Sequence, residues 1–184
     1  LGFARFTSRA GSAQYICMTA GSFTYQTLSG NHAGAWQELR LEGARNFPMG
    51  FLVTVAETAT ADADRCRAIL NAGATRGVFD KDRLVGFCGY RPNHLERIRH
   101  RAEIGPFFVT AAYHGTGAAD TLMKGVIAEA KAVGIAQLEL FVDTENHRAI
   151  AFYEKHAFVR IATHYDGVRI DGQSRDDHFY TLRL

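Results

Sequence analysis

A chain of 184 residues, 47% hydrophobic and 22% charged, is long enough to bury one substantial core and has the make-up of an ordinary soluble globular domain. A formal net charge of +2 is too small to argue for nucleic acid, and the densest basic run, Arg97-Ile98-Arg99-His100-Arg101, reads as a solvated hairpin rim. Cys17, Cys66 and Cys88 are scattered and form no C-x-x-C pair, which speaks against a disulfide framework or a zinc site and fits a reducing cytosol; no apolar run has the length to span a bilayer.

Residues 1–21 read as a tail outside the fold. They start at Leu1 and contain Arg5 and Arg9 but no acid through Ala20, a composition that fits a transit peptide, a start mis-assigned upstream of Met18, or a vector-derived remnant. The folded domain is taken as 22–184. Phe23 to Leu28 alternates as a first strand, and Ser29-Gly30-Asn31 turns into a helix with Trp36, Leu39 and Ala44 on its apolar side, ending at Pro48. Thr58-Ala59-Thr60 with Asp62 and Asp64 supplies the cap and first-turn acids of a second helix, with Ile69 and Leu70 buried and Gly73 as its stop. Gly77–Asp80 and Leu84–Arg91 form a hairpin around Lys81-Asp82-Arg83. The turn Pro92-Asn93-His94 leads into the long strand Ala102–Val109, where Pro106 removes a ladder donor and predicts a bulge or a departure from a neighbour.

Ala118, Leu122, Met123, Val126, Ile127 and Ala130 mark a helix running to about Gly134, Gln137–Val142 alternates as a strand, and Asn146 caps a short helix ending near His156. Asp166-Gly167 and Asp171-Gly172 read as two turns of a closing β-meander that ends in Phe179–Leu184. The order is α+β: a mostly antiparallel mixed sheet with one parallel crossover, flanked by helices.

That crossover carries the chemistry. Between Val109 and Ala118 an apolar strand passes through Gly115 and Gly117 into a helix, so main-chain N–H groups converge without Cβ interference at the positive end of a helix dipole. This reads as an anion cradle suited to a phosphorylated cofactor, against the plainer alternative of a tight strand-to-helix connection with no ligand. A dinucleotide fold fits less well: Asp120 stands in place of the third fingerprint glycine, and Thr110–His114 separates strand from turn. One strand and one helix later, Asn146 and Tyr153 lie two helical turns apart and look toward the same groove.

The two segments read His114-x-x-Gly117-x-Ala119 and Asn146-x-x-Ala149-x-x-x-Tyr153-x-x-x-Ala157-Phe158. They resemble the GCN5-related N-acetyltransferases, the GNAT superfamily, whose turn reads [Gln/Arg]-x-x-Gly-x-[Gly/Ala] and whose later helix reads Asn-x-x-Ala-x-x-x-Tyr-x-x-x-Gly-Phe. His114 in place of Gln or Arg, and Ala157 in place of glycine, are the departures. The resemblance implies the acyl-CoA N-acyltransferase fold, with acetyl-CoA lying where the strand ending at Val109 splays from Gln137–Val142. The pantetheine arm would follow the freed backbone of Phe107, Phe108 and Val109. The pyrophosphate would rest on the N–H groups of His114, Gly115, Thr116, Gly117, Ala118 and Ala119, with Asn146 and Tyr153 beside the arm.

By the same resemblance the Val109 N–H is the oxyanion donor and Tyr153 the acid that protonates the departing thiolate. Tyr153 has a plain alternative as a packing aromatic, and Asn146 as a helix cap alone. Glu103, on the strand ahead of the bulge, is the expected base for the amine, against a surface pair with an arginine such as Arg101; His100 and Asp143 are weaker competitors. No histidine spacing matches a metal site and no Gly-x-Ser-x-Gly elbow appears, so the expected reaction is direct acetyl transfer to a small-molecule or peptide amine in a ternary complex, without metal, nucleic acid or membrane. Homodimers are common in the family. The competing reading is a non-catalytic acetyl-CoA-binding regulatory module of the same fold.

Overall fold

Phe23 and Tyr25 are buried while Thr24 and Gln26 are half-buried, and this period of two makes β2 (Phe23–Thr27). The computed structural model describes residues 18–20 and 23–184. In it β1 (Met18–Ala20) pairs antiparallel with β2, Met18 opposite Tyr25 and Ala20 opposite Phe23. The end of the stretch set aside as a tail therefore joins the sheet as an edge strand; the rest of that stretch, Cys17 included, lies outside the described residues.

Helix α1 (Ala33–Asn46) buries Trp36, Leu39 and Ala44 as its periodicity requires and ends just before Pro48. The next segment differs from expectation. Thr58–Thr60 does not cap a long helix but closes a short one, α2 (Val55–Ala59), opened by a reciprocal capping box: Glu57 N–H donates to Thr54 Oγ1 at 3.1 Å, and Thr54 N–H to Glu57 Oε2 at 2.8 Å. Asp62 caps α3 (Ala63–Asn71) by accepting from Arg65 N–H at 2.7 Å. Cys66 and Leu70, four apart on one face, are its buried residues; Ile69, 100° round the helix from Leu70, is 38% exposed.

The hairpin β3 (Thr75–Asp80) and β4 (Arg83–Pro92) is followed by β5 (Arg101–Val109), α4 (Ala118–Ala132), β6 (Gln137–Asp143), α5 (His147–Lys155), β7 (Val159–Ile170) and β8 (Gln173–Arg183). The strands form one sheet in the order β1-β2-β3-β4-β5-β6-β8-β7, antiparallel throughout except for β5 beside β6. The architecture is the α+β sheet expected, with one correction. Asp166-Gly167 does not reverse the chain: β7 continues through it, its register with β8 shifting between His164 and Val168, and only Asp171-Gly172 turns the hairpin. Asp166 adopts φ 51°, but its N–H is satisfied sideways by the Asp176 carboxylate at 2.9 Å, and pairing on both sides holds the strand as a bulge.

Helices α4 and α5 cover one face, where Leu122, Met123, Val126 and Tyr153 pack against Tyr25, Val78, Cys88, Ile104, Leu138 and Leu140. Helices α1 and α3 cover the other, bringing Trp36, Leu39, Cys66 and Leu70 onto Leu28, Phe79, Phe87 and Phe108. Beneath α4 lies a charged tie: Arg76 and Glu129 pair at 2.6 Å with side chains 8% and 17% exposed, Tyr25 OH donates to Glu129, and the guanidinium sits 5.0 Å from the Tyr90 ring centre. Such a pair stays compatible with burial because both charges keep hydrogen-bond partners. No helix among the described residues is long and apolar enough to cross a membrane.

Candidate active site

The site opens where the sheet comes apart. β5 and β6 are in register over only three pairs, Arg101–Gln137, Ala102–Leu138 and Glu103–Glu139; beyond them six residues of β5 and four of β6 run on unpaired with each other. The cause is local. Pro106 has no N–H to offer, and Gly105 has φ 138°, a conformation L side chains rarely adopt. Opposite them the β4–β5 register slips between Cys88 and Tyr90, and Gly89 has no Cβ to block the Gly105 carbonyl. Thr110 N–H donates to Val85 O at 2.9 Å, which fixes the ladder's parity. Phe108 then exchanges hydrogen bonds with Phe87, while Phe107 and Val109 turn their N–H and C=O groups toward the vacated side.

Past Val109 the chain makes one turn of 3₁₀ helix (Ala111–Tyr113), then Gly115 at φ 77° and Gly117 at φ 95° deliver it into α4. Glu42 on α1 pins the start of this turn, accepting from the Thr110 hydroxyl at 2.7 and 2.9 Å. Gly117 caps α4 without a side chain, so the N–H groups of the helix's first turn have no acceptor of their own. The amides expected to form the cradle are not all free. His114 N–H is engaged by Ala111 O at 3.1 Å and Thr116 N–H lies 3.4 Å from Tyr113 O, leaving Gly115, Gly117, Ala118 and Ala119 as the open donors.

His114 enters by its side chain instead. Its Nε2 lies 2.9 Å from Val109 O and its Nδ1 2.8 Å from an Arg148 guanidinium nitrogen, so the consistent tautomer carries its proton on Nε2 and accepts from Arg148 on Nδ1. The imidazole thus holds an exposed arginine from α5 over the glycine turn. On the far side Asp120 binds Lys155 at 2.8 Å and His156 at 2.8 Å. Burial alone would raise the Asp120 carboxyl pKa, but hydrogen bonds from these two partners outweigh it and hold it below the usual range.

These groups line a cleft of about 390 Å³ that also takes in Phe107, Phe108, Asn146, Phe152 and Tyr153. The Asn146 side chain accepts from Ala149 N–H at 3.2 Å, so it caps α5 and faces the cleft at once. Tyr153 is 8% exposed, and its hydroxyl has no hydrogen-bond partner among the described residues. Burial pushes its pKa up, which keeps it a neutral phenol able to give a proton. Phe107 packs against both the Phe152 and Tyr153 rings, at 5.3 and 6.4 Å between centres, and those two lie 5.7 Å from each other.

Glu103 departs from expectation. Its carboxylate pairs with Arg91 at 2.7 Å, both side chains about half exposed, and it does not line the cleft. Arg101, the partner anticipated for it, binds Glu139 at 3.0 Å instead, because cross-strand neighbours on one face of β4, β5 and β6 pair by register. Asp143, a competitor for the base, is engaged by Arg175 at 2.7 Å. The sequence reading also passed over Arg148, Lys155 and the Phe47–Phe51 wall. Arg148, Phe152 and Lys155 recur at i, i+4 and i+7, a second stripe beside that of Asn146, Ala149 and Tyr153. Phe47, Gly50 and Phe51 come from the connection between α1 and α2, and only the tertiary fold brings them against Phe108. Among the described residues no group of three His, Cys, Asp or Glu side chains could hold a metal ion.

The geometry has counterparts. Solved structures with the same fold include an N-acetyltransferase from Staphylococcus aureus Mu50 (TM-score 0.77, 18% identity, 89% of this chain and 99% of that one). Another is the yncA protein of Salmonella typhimurium, solved with acetyl-CoA as its cofactor (TM-score 0.76, 16% identity, 89% and 95%). In sequence, 56 residues are 41% identical to uncharacterised N-acetyltransferases of Mycobacterium bovis and Mycobacterium tuberculosis, a match spanning 30% of this chain and 36% of theirs. The model of the acetyltransferase (GNAT) family matches residues 36–158, from Trp36 in α1 through the splay, the glycine turn and the Asn146–Tyr153 helix, and the chain belongs to that family.

Proposed function

We propose that the chain transfers the acetyl group of acetyl-CoA to a primary amine by direct attack in a ternary complex. The observation that carries this reading is the splay itself. It leaves the main-chain groups of Phe107 and the N–H of Val109 without a strand partner among the described residues, beside a phenol, and ends at a glycine turn with open amides. A pantetheine arm can add to β5 as a short strand would, and a pyrophosphate matches the α4 N-terminus. Arg148 adds the guanidinium that His114 removes from the turn.

Acetyl-CoA, when bound, supplies a thioester already activated toward an amine, so the C–N bond forms as the C–S bond breaks. The Val109 N–H, directed into the gap, would donate to the oxygen that gains charge. Tyr153 would give its proton to the sulfur and recover one from solvent. Asn146 would fix the start of α5 and one polar contact to the arm. Glu103 is left out of this mechanism, because its partner is Arg91 and it stands outside the cleft lining.

The test is release of free thiol from acetyl-CoA with a panel of primary amines. Turnover that depends on Tyr153 supports the enzyme. Tight acetyl-CoA binding with no amine ever acetylated would favour the non-catalytic module.

A further inference from the structure

Resting on that acetyl-transfer reading, we infer that the acceptor is a primary amine carrying a second cationic group. Its amine reaches the thioester past Gly50, and its second cation meets Asp171 in a separate cavity. The observation is a pair of cavities divided by one turn of backbone. The Pro48–Gly50 turn follows α1 and lies against both β5 and β6. Gly50 lines the cofactor cleft, whereas Pro48 and Met49 line a second cavity of about 210 Å³. Ile170, Asp171, Gln173 and Arg175 of the β7–β8 hairpin close its other side. The glycine turn and Tyr153 belong to the face covered by α4 and α5, where the cofactor binds. The α1 face is left for the acceptor, and an amine attacking from there passes this turn.

Charge sets what the second cavity takes. Arg175 is already engaged by Asp143 at 2.7 Å and by Glu145 at 2.9 Å. Asp171, the first residue of the Asp171-Gly172 turn, has neither a hydrogen-bond nor an ion-pair partner for its side chain among the described residues. Pro48, Met49 and Ile170 offer an apolar bed for a hydrocarbon stem, and the carboxylate meets the charged tip, as long cationic side chains require. In the cofactor cleft Asp120 is the lining carboxylate, and Lys155 and His156 hold it. Glu38 and Glu42 on α1 also lack a cation partner among the described residues, but neither lines either cavity, and Glu42 is turned onto Thr110. Arg45, in the last turn of α1, lines neither cavity, so it does not neutralise the second one from within.

The second cation keeps its proton throughout. The reacting nitrogen gives one proton to solvent before it attacks and another as the amide forms. The C–N bond forms as the C–S bond breaks, and the sulfur takes a proton from Tyr153, which solvent restores.

The experiment follows thiol release by the whole chain with acetyl-CoA and two matched pairs of acceptors: agmatine against hexylamine, and glycyl-arginine amide against glycyl-leucine amide. Both cationic members carry a guanidinium, which a carboxylate can bind through two parallel hydrogen bonds. Asp171 is exposed, so the expected gain in kcat/KM for the cationic member is roughly three- to fivefold, carried by KM and shrinking as salt is added. The pair that shows the gain decides between a small diamine-type acceptor and the N-terminus of a basic peptide. Asp171→Asn should bring the ratio to about one, and asparagine tolerates the φ of 51° at this turn. Gly50→Leu, at a position where a β-carbon meets nothing within 4 Å, should raise KM for both members of that pair. The inference is overturned by a ratio of one or below in both pairs, by a ratio that survives Asp171→Asn, by acceptor KM values that Gly50→Leu leaves untouched, or by turnover of none of the four in a chain that binds acetyl-CoA. Calorimetry with acetyl-CoA alone separates the failures: no binding removes the acetyl-transfer reading as well, whereas binding without the cation preference removes only the acceptor class.

Discussion

Replacing Arg148 by alanine tests the phosphate cradle at the point where this chain departs from its family's turn. Arg148 is exposed on the first turn of α5 and, among the described residues, bound only through its guanidinium to His114 at 2.8 Å, so the substitution removes a charge without opening the core. A hydrogen bond to a charged group is worth about 1.5–3 kcal/mol, and full loss would correspond to roughly 10- to 150-fold in Kd. Solvent screening places an exposed arginine at the low end, so a loss of about tenfold in acetyl-CoA affinity is expected at physiological salt, and a larger one at low ionic strength. Isothermal titration would measure it, with turnover of S-acetylpantetheine, which has no phosphates, as the control. Arg148→Ala should leave kcat/KM for that truncated donor unchanged. An unaltered Kd for acetyl-CoA, or an equal loss with S-acetylpantetheine, refutes the assignment of Arg148 to phosphate.

Tyr153→Phe should lower kcat at pH 7 by roughly 100-fold, the low end of general-acid effects because a thiolate leaves readily, with little change in acetyl-CoA Kd. Because burial raises the Tyr153 pKa, the wild-type pH profile should show no alkaline limb from this phenol below about pH 10, and a limb that vanishes in the phenylalanine variant would contradict its neutral role. Gly117→Ala forces a side chain onto φ 95° and should cost about 1–2 kcal/mol, seen as a Tm lower by roughly 2–8 °C with weakened acetyl-CoA binding. At the buried pair, burial raises the Glu129 pKa, but hydrogen bonds from Arg76 and Tyr25 outweigh it and hold the folded value below the unfolded one. The stabilisation is therefore complete above about pH 4.3 and lost as pH falls through the folded value. Glu129→Gln should unfold about 3–5 kcal/mol more easily at pH 7 in denaturant titration and show a shallower acid dependence; a wild-type-like acid limb would count against the pair.

What could be read along the chain was whatever depends on near neighbours. The 3.6-residue stripe of α4, the alternation of β6, and the Asn146 cap with Tyr153 two turns later are set by local backbone geometry. Gly105 and Pro106 announce a broken ladder because one tolerates φ 138° and the other lacks a donor. Where a local signal competed with long-range pairing, it lost: Asp166-Gly167 is chemically a turn, yet β8 pairs on both sides of it and keeps it in the strand.

The sheet with its single parallel pair and the glycine turn followed from the amino-acid sequence alone, since spacing along one helix or strand fixes which residues share a face; the family was implied by the resemblance of the His114–Ala119 and Asn146–Phe158 segments. The tertiary structure alone decided which charges meet. It gave Glu103 to Arg91, set Arg148 on His114, and carried Phe47 and Phe51 against Phe108, because partners more than a few residues apart are chosen by strand register and helix packing rather than by sequence separation.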